Sequence, residues 1–230
     1  MKTIGLIGGM SWESTQTYYK LINEGVRDRL GGLHSAKIHM VSVDFHEIAE
    51  QQYSGRWDDM GVTLGDAAKT LEDSGADVVL ICTNTMHKVY DAVQAAVNVP
   101  VLHIADATGD AIKPAGVKSV ILLGTRYTME MEFYKDRLAE KFGLTVLTPE
   151  KADRDEVHRI IYDELVQGKV LDASRDRLLE IIRSLQAQGG EGVIAGCTEI
   201  GLLVQQEQLD VPLFDTAVIH AHAAVEVSFQ

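Results

Sequence analysis

The chain has 230 residues, 46% of them apolar and 24% charged, the balance of an ordinary soluble globular protein. Its 21 Lys and Arg against 34 Asp and Glu give a net charge of 21 − 34 = −13, which argues against nucleic-acid or anionic-membrane partners, since both want a basic face. No apolar run approaches the ~20 residues of a membrane span, the chain runs straight into a strand pattern without a signal-peptide layout, and the two cysteines have neither zinc spacing nor a disulfide framework, so a reduced, cytoplasmic setting is expected.

Short apolar runs alternate with amphipathic stretches from end to end. In chain order the pattern predicts strand 3–7, helix 12–30, strand 38–43, helix 57–74, strand 78–82, helix 85–96, strand 100–103 and helix 105–113. It continues with strand 119–123, helix 129–142, strand 144–147, helices 151–167 and 173–188, strands 192–195 and 212–214, and helix 217–227. Leu178, Ile181, Ile182 and Leu185 have helical spacing, and Gly75, Gly116, Gly143 and Gly189 fall where helices should stop. Continuous apolar strands between helices read as an α/β protein with parallel sheets and right-handed crossovers.

The pattern occurs twice. Lys2-Thr3-Ile4-Gly5-Leu6-Ile7-Gly8-Gly9 resembles Lys118-Ser119-Val120-Ile121-Leu122-Leu123-Gly124-Thr125, an offset of 118 − 2 = 116. Tyr19-Lys20 matches Tyr134-Lys135 at 115, Val79–Thr85 aligns with Val193–Glu199 at 114, and Val99-Pro100-Val101 matches Val211-Pro212-Leu213 at 112. Four matches in one order, with a slowly drifting offset, point to internal duplication. The expected architecture is two similar domains, each a parallel sheet flanked by helices, with the active site between them. The first domain is expected over 1–104 plus 211–230 and the second over 105–210, because the 211 segment is the partner of the 99 segment.

In open α/β sheets ligands lie beyond the carboxyl ends of the strands. Four polar loops are expected there, at 8–14, 83–87, 124–128 and 196–200, each leading into a helix whose free N–H groups suit a carboxylate. Together they could hold a small dicarboxylate without a metal or a phosphate cradle. Gly5-Leu6-Ile7-Gly8-Gly9 lacks the spaced third glycine of a dinucleotide fingerprint, so a tight strand-to-helix turn, with Ser11 as helix cap, is the better reading. His220-Ala221-His222 is rejected as a metal pair, because positions two apart on a helix do not share a face.

The repeat register sets Thr83 opposite Cys197. Cys197 ends a strand next to an expected helix N-terminus, which lowers a thiol pKa below its free value of ~8.5, and it is the leading nucleophile or base. Cys82 lies one residue inside its strand, so alternation should turn it away from the cleft. Thr83 is a poor base at neutral pH but can relay a proton. Asn84 and Thr85 are natural holders of a carboxylate or amine. Glu199 could orient Cys197 or meet an ammonium group. His87 and His103 lie near the same strand ends, where a structural role is the commoner one. Arg126, Tyr127, Arg56 and Gln52 could reach a side-chain carboxylate.

Taken together, Gly8-Gly9-Met10-Ser11, Thr83-Asn84-Thr85-Met86-His87, Gly124-Thr125 and Gly196-Cys197-Thr198-Glu199 make this sequence resemble the aspartate/glutamate racemase family over essentially its whole length. Within it, the chain is most similar to the L-aspartate/glutamate-specific racemases. The resemblance implies a cofactor-independent amino-acid racemase, free of PLP and metal, that takes a small-molecule amino acid and is often a homodimer. The family pattern places a cysteine on each side of the substrate carbon, and the second of them acts on the L-isomer. Cys197 matches the second, whereas Thr83 stands where the first would be. The expectation is therefore that Cys197 deprotonates L-aspartate or L-glutamate, and that the D-isomers, for which Thr83 would be the base, are handled poorly. Asn84, Thr85, Thr125 and Thr198 match positions that hold the α-carboxylate and amino group, Met10 and Ser11 line the opposite loop, and Gln52 is a candidate for the side-chain carboxylate.

Two other readings fit the same residues. A single-thiol decarboxylase or isomerase of the same superfamily would also need only Cys197. A protein that binds amino acids but has lost most catalysis would account for Thr83.

Overall fold

The computed structural model describes residues 1–230. The strands are β1 (Ile4–Gly8), β2 (Ile38–Ser42), β3 (Val78–Ile81), β4 (Val101–Leu102), β5 (Ser119–Gly124), β6 (Thr145–Leu147), β7 (Val193–Gly196) and β8 (Leu213–Asp215). The helices begin with α1 (Trp12–Leu30), α2 (Phe45–Tyr53), α3 (Trp57–Asp73), α4 (Tyr90–Ala95) and α5 (Ile104–Ile112). They continue with α6 (Arg126–Glu130), α7 (Glu132–Phe142), α8 (Lys151–Arg159), α9 (Asp172–Gln186), α10 (Ile200–Leu203) and α11 (Thr216–Ser228). Every expected strand is present. Helix α2 was not expected. Its buried face is only Ile48 and Gln52, one turn apart, too narrow a stripe to register as periodicity, although Asp44 caps it by accepting the His46 N–H.

The chain divides into two compact units, one of Met1–Ile104 with Ala217–Gln230 and one of Ala105–Thr216. Each holds a four-stranded parallel sheet, in the orders β2-β1-β3-β4 and β6-β5-β7-β8. The expected assignment of 211–230 to the first domain needs correction at its start. β8 pairs with β7 through Val193↔Leu213, Ile194↔Phe214 and Ala195↔Asp215, so the chain crosses back only at Ala217. The sequence match between the 99 and 211 segments is real, but it marks equivalent edge strands of two sheets rather than membership of one.

Alternation along β1 and β3 divides the first unit's core. Ile4, Leu6, Val78, Leu80 and Cys82 pack with Tyr18, Ile22 and Val26 of α1 and with Ala217, Ala221 and Ala224 of α11. Ile7, Val79 and Ile81 face the other way, onto Ile48 of α2, Met60 and Leu64 of α3 and Val93 of α4. In the second unit Ile121, Leu123, Val193, Ala195 and Cys197 pack against α8, α9 and α10. Within α9, Leu178, Ile181, Ile182 and Leu185 form the buried stripe that the spacing predicts. Removing each such side chain from water contributes roughly 1.5–3 kcal/mol.

The duplication is legible in matched hydrogen bonds. The Val79 N–H donates to the Pro100 carbonyl and the Val193 N–H to the Pro212 carbonyl, both at 2.9 Å. The Asp77 N–H donates to Thr3 O at 2.8 Å and the Glu191 N–H to Ser119 O at 2.9 Å. The carboxylates of Asp77 and Glu191 in turn accept the Thr3 and Ser119 N–H groups. One sequence match shifts by a residue. Tyr19 is half exposed, whereas Tyr18 and Tyr134 are both fully buried, so the structural pair lies at 134 − 18 = 116, the same offset as the first strands.

Candidate active site

In the first unit the candidate residues gather at the carboxyl ends of β1 and β3. Gly9 has φ +95°, and a Cβ there would overlap the Val43 carbonyl oxygen, so the turn out of β1 requires glycine. The Met10–Ser11 peptide is cis. Ser11 caps α1 by accepting the Ser14 N–H at 3.3 Å, and the Ser14 hydroxyl donates to the Cys82 carbonyl at 3.1 Å. That bond ties the Met10–Ser11 turn to the residue before Thr83. Met10, Ser11, Asn84 and Thr85 are buried and Thr83 is half-buried. Gln52 is 3% exposed and shares the buried face of α2 with Ile48, which belongs to the same apolar cluster as Met10. Cys82 points into the α1–α11 core, where burial pushes its thiol far above the ordinary range, consistent with an inert structural thiol.

Three buried histidines stand behind Thr83. His87 Nδ1 is 2.8 Å from the Thr83 carbonyl, and the Ile104 N–H donates to His87 Nε2 at 3.1 Å. His220 Nδ1 lies 2.9 Å from the Tyr18 hydroxyl and its Nε2 lies 3.0 Å from the Leu102 carbonyl. Burial, reinforced by the neighbouring His87, pushes the His220 pKa down to about 3, which keeps it neutral. His103 packs at 4.6 Å, centroid to centroid, from both His87 and Tyr90. No group of three or more His, Cys, Asp or Glu side chains is arranged to hold a metal ion, and no helix is long and apolar enough to cross a membrane.

In the second unit Gly124 and Gly196 pair across β5 and β7, so Thr125 and Cys197 emerge from adjacent strand ends. Thr125 caps α6 by accepting the Thr128 N–H at 3.4 Å. The Cys197 thiol donates to Glu199 Oε2 at 2.9 Å, and the Thr198 hydroxyl donates to the same oxygen at 2.6 Å. Cys197 is 9% exposed and Glu199 is 5% exposed.

The expected lowering of the Cys197 pKa is reversed. Burial first, then the Glu199 carboxylate as a charge and as an acceptor, hold the thiol well above its ordinary value, and Asp215 adds to the effect. The helix that follows, α10, has only four residues, so its dipole is small beside two carboxylates. The resting side chain is a thiol, and its proton is aimed at Glu199. Asp215 was not singled out in the sequence. The repeat could have found it, because 215 − 103 = 112 sets it opposite His103, at the same offset as the proline segments.

Two α/β units, each a four-stranded parallel sheet with a polar turn beyond its strand ends, carry the candidate residues, and in the second a thiol is held on a carboxylate. The family profile described as Asp/Glu/Hydantoin racemase matches residues 7–224, and the chain belongs to that family. It is an isomerase of the racemase class. Among its relatives, the broad specificity amino-acid racemase RacX of Bacillus subtilis (strain 168) is 24% identical over 96% of both chains. A Yersinia pestis protein solved as a candidate Asp/Glu racemase superposes with a TM-score of 0.94, at 54% identity over the full length of both chains. An aspartate racemase homologue from Pyrococcus horikoshii OT3 gives 0.87 at 37% identity, again over both full chains.

Proposed function

We propose that this protein racemises aspartate or glutamate by proton transfer at the α-carbon, with Cys197 acting on the L-isomer and Thr83 on the opposite face. The observation that carries this reading is the unequal pair at equivalent strand ends: a thiol 2.9 Å from a carboxylate after β7, and a threonine after β3. Glu199 takes the thiol proton, and the thiolate then removes the α-proton of the L-isomer. Neutral donors from Asn84, Thr85, Thr125 and Thr198, with Ser11, bind the α-carboxylate and amino group and stabilise the charge that develops there. Met10 lines this loop, and Gln52 receives the side-chain carboxylate. The Thr83 hydroxyl delivers a proton to the other face and is replenished from solvent. Free thiols at Cys82 and Cys197 suit a reducing cytoplasm, and a homodimer is the assembly proposed, to be read from sedimentation.

Enantiomers have equal free energy, so kcat/KM must be the same in both directions whatever the residues, and the expectation that the D-isomers are handled poorly gives way to a difference in exchange. The difference between thiol and hydroxyl therefore emerges elsewhere. Cys197 can remove and return a proton on its own side many times before Thr83 completes an inversion. Proton NMR of L-aspartate and L-glutamate in D₂O, with chiral analysis of the same samples, tests the reading. L-substrate should lose its α-proton faster than D-isomer accumulates, D-substrate should exchange no faster than it inverts, and Cys197→Ser should abolish both processes. No α-exchange with either substrate would instead favour a single-thiol decarboxylase or a binding protein.

A further inference from the structure

The imidazole of His87 is 2% exposed and touches backbone at both nitrogens. The Ile104 N–H can only donate, so Nε2 must offer a lone pair. A neutral imidazole then carries its one proton on Nδ1, and that N–H donates to the Thr83 carbonyl. The heavy-atom positions fix the tautomer. The neighbouring His220 is fixed by the same logic in the opposite sense, with Nε2–H donating to Leu102 O and Nδ1 accepting from the Tyr18 hydroxyl. The two rings, 5.8 Å apart, thus hold the carbonyl of residue 102 and the N–H of residue 104, where the chain leaves the first unit.

We propose that His87, as the neutral Nδ1–H tautomer, is a positioning residue for Thr83, fixing the threonine hydroxyl by tying its carbonyl to the backbone at Ile104. The proposal rests on Thr83 being the second proton-transfer group. Threonine has a single side-chain torsion and is stiff about it, so anchoring its carbonyl goes far toward aiming its hydroxyl. β3 ends at Ile81, so Thr83 lies beyond the sheet's ladder. The Thr83 N–H donates to Ile81 O at 2.9 Å, and His87 supplies the hold on the carbonyl. A charged His87 would turn Nε2 into a donor facing the Ile104 N–H, so the arrangement works only with a neutral ring.

The test separates the two bonds. In His87→Asn the amide ends near the Nδ1 position and keeps a donor for Thr83 O. In His87→Gln the side chain reaches the Nε2 position and keeps a partner for Ile104 N–H while giving up the Thr83 bond. With L-aspartate and L-glutamate in D₂O, the readout is D-isomer formed per α-proton exchanged. His87→Asn should keep the ratio of the parent enzyme. His87→Gln should lower it on the order of tenfold to a hundredfold, the scale of a misplacement of about 1 Å, while exchange at the Cys197 side continues. Equal losses of exchange and inversion in both variants, or an unchanged ratio in His87→Gln, would overturn the proposal. Imidazole ¹⁵N spectra of the unaltered protein give a second check, and a His87 protonated at Nε2 rather than Nδ1 would also overturn it. A parent enzyme with no α-exchange at all would remove the racemase reading itself, and this proposal with it.

Discussion

Glu199→Gln is the substitution that probes the chemistry of the second unit most directly. The Glu199 carboxylate lies 2.9 Å from the Cys197 sulfur, is itself buried, and accepts the hydrogen bond that the thiol donates. A close, poorly solvated charge of this kind moves a neighbouring pKa by about 1–3 units, and each unit changes the thiolate fraction about tenfold. The glutamine keeps the shape and removes the charge, so the Cys197 titration should fall by that amount, with burial and Asp215 left to hold it above the free value of ~8.5. The assay is the pH dependence of alkylation by iodoacetamide, followed by mass spectrometry at the Cys197 peptide. Cys82, fully buried, serves as the unreactive control. In the parent protein both alkylation and α-exchange of the L-isomer should climb as pH rises past the free-thiol range. Glu199→Gln should alkylate faster near neutrality yet exchange L-substrate more slowly, because no carboxylate remains to accept the thiol proton. An unchanged titration midpoint would refute the argument that the carboxylate holds Cys197 protonated. Faster alkylation together with faster exchange would refute the role of Glu199 as proton acceptor.

Thr83→Cys gives the first unit a thiol with a far lower pKa than a hydroxyl, and D-substrate should then exchange its α-proton faster than it inverts, as read by the same NMR experiment. Gly9→Ala forces a side chain onto a backbone with φ +95° and against the Val43 carbonyl; it should cost about 2–5 kcal/mol in urea unfolding. Asp106 opens α5 and accepts a two-point bond from Arg137 at 2.6 and 2.8 Å and one from Lys141 at 2.6 Å. Burial alone would raise its pKa, but these two cations hold it below the usual value. Its stabilisation is therefore present above the unfolded value of ~3.9 and is lost as pH falls through the lower native one. Asp106→Asn should cost about 1–2 kcal/mol at neutral pH and nothing at a pH below the native value, checked by chemical denaturation across that range.

The strands were legible because a buried parallel strand has no choice of composition: all of β1, β3 and β7 must be apolar or small, whichever face a residue meets. The equivalence of Thr83 and Cys197 was legible for a related reason, since two copies of one strand-and-turn keep their register, and the matched bonds at Val79 and Val193 bear it out. Helix α2 was hidden because it buries so little, and Gln52 entered as a candidate without the helix that carries it.

The sequence by itself determined the repeated α/β pattern, the polar residues at the strand ends and the place of Cys197 opposite Thr83, all of which depend on local periodicity and order along the chain. Tertiary structure alone decided that β8 joins β7, a choice made by sheet hydrogen bonds between segments that a sequence match cannot rank. It also decided the state of the thiol, because a pKa answers to the charges and water that folding brings within a few ångströms. From the chain order, Cys197 stood before a helix and looked acidic; in the fold, burial first, and then the negative charges of Glu199 and Asp215, keep its proton on.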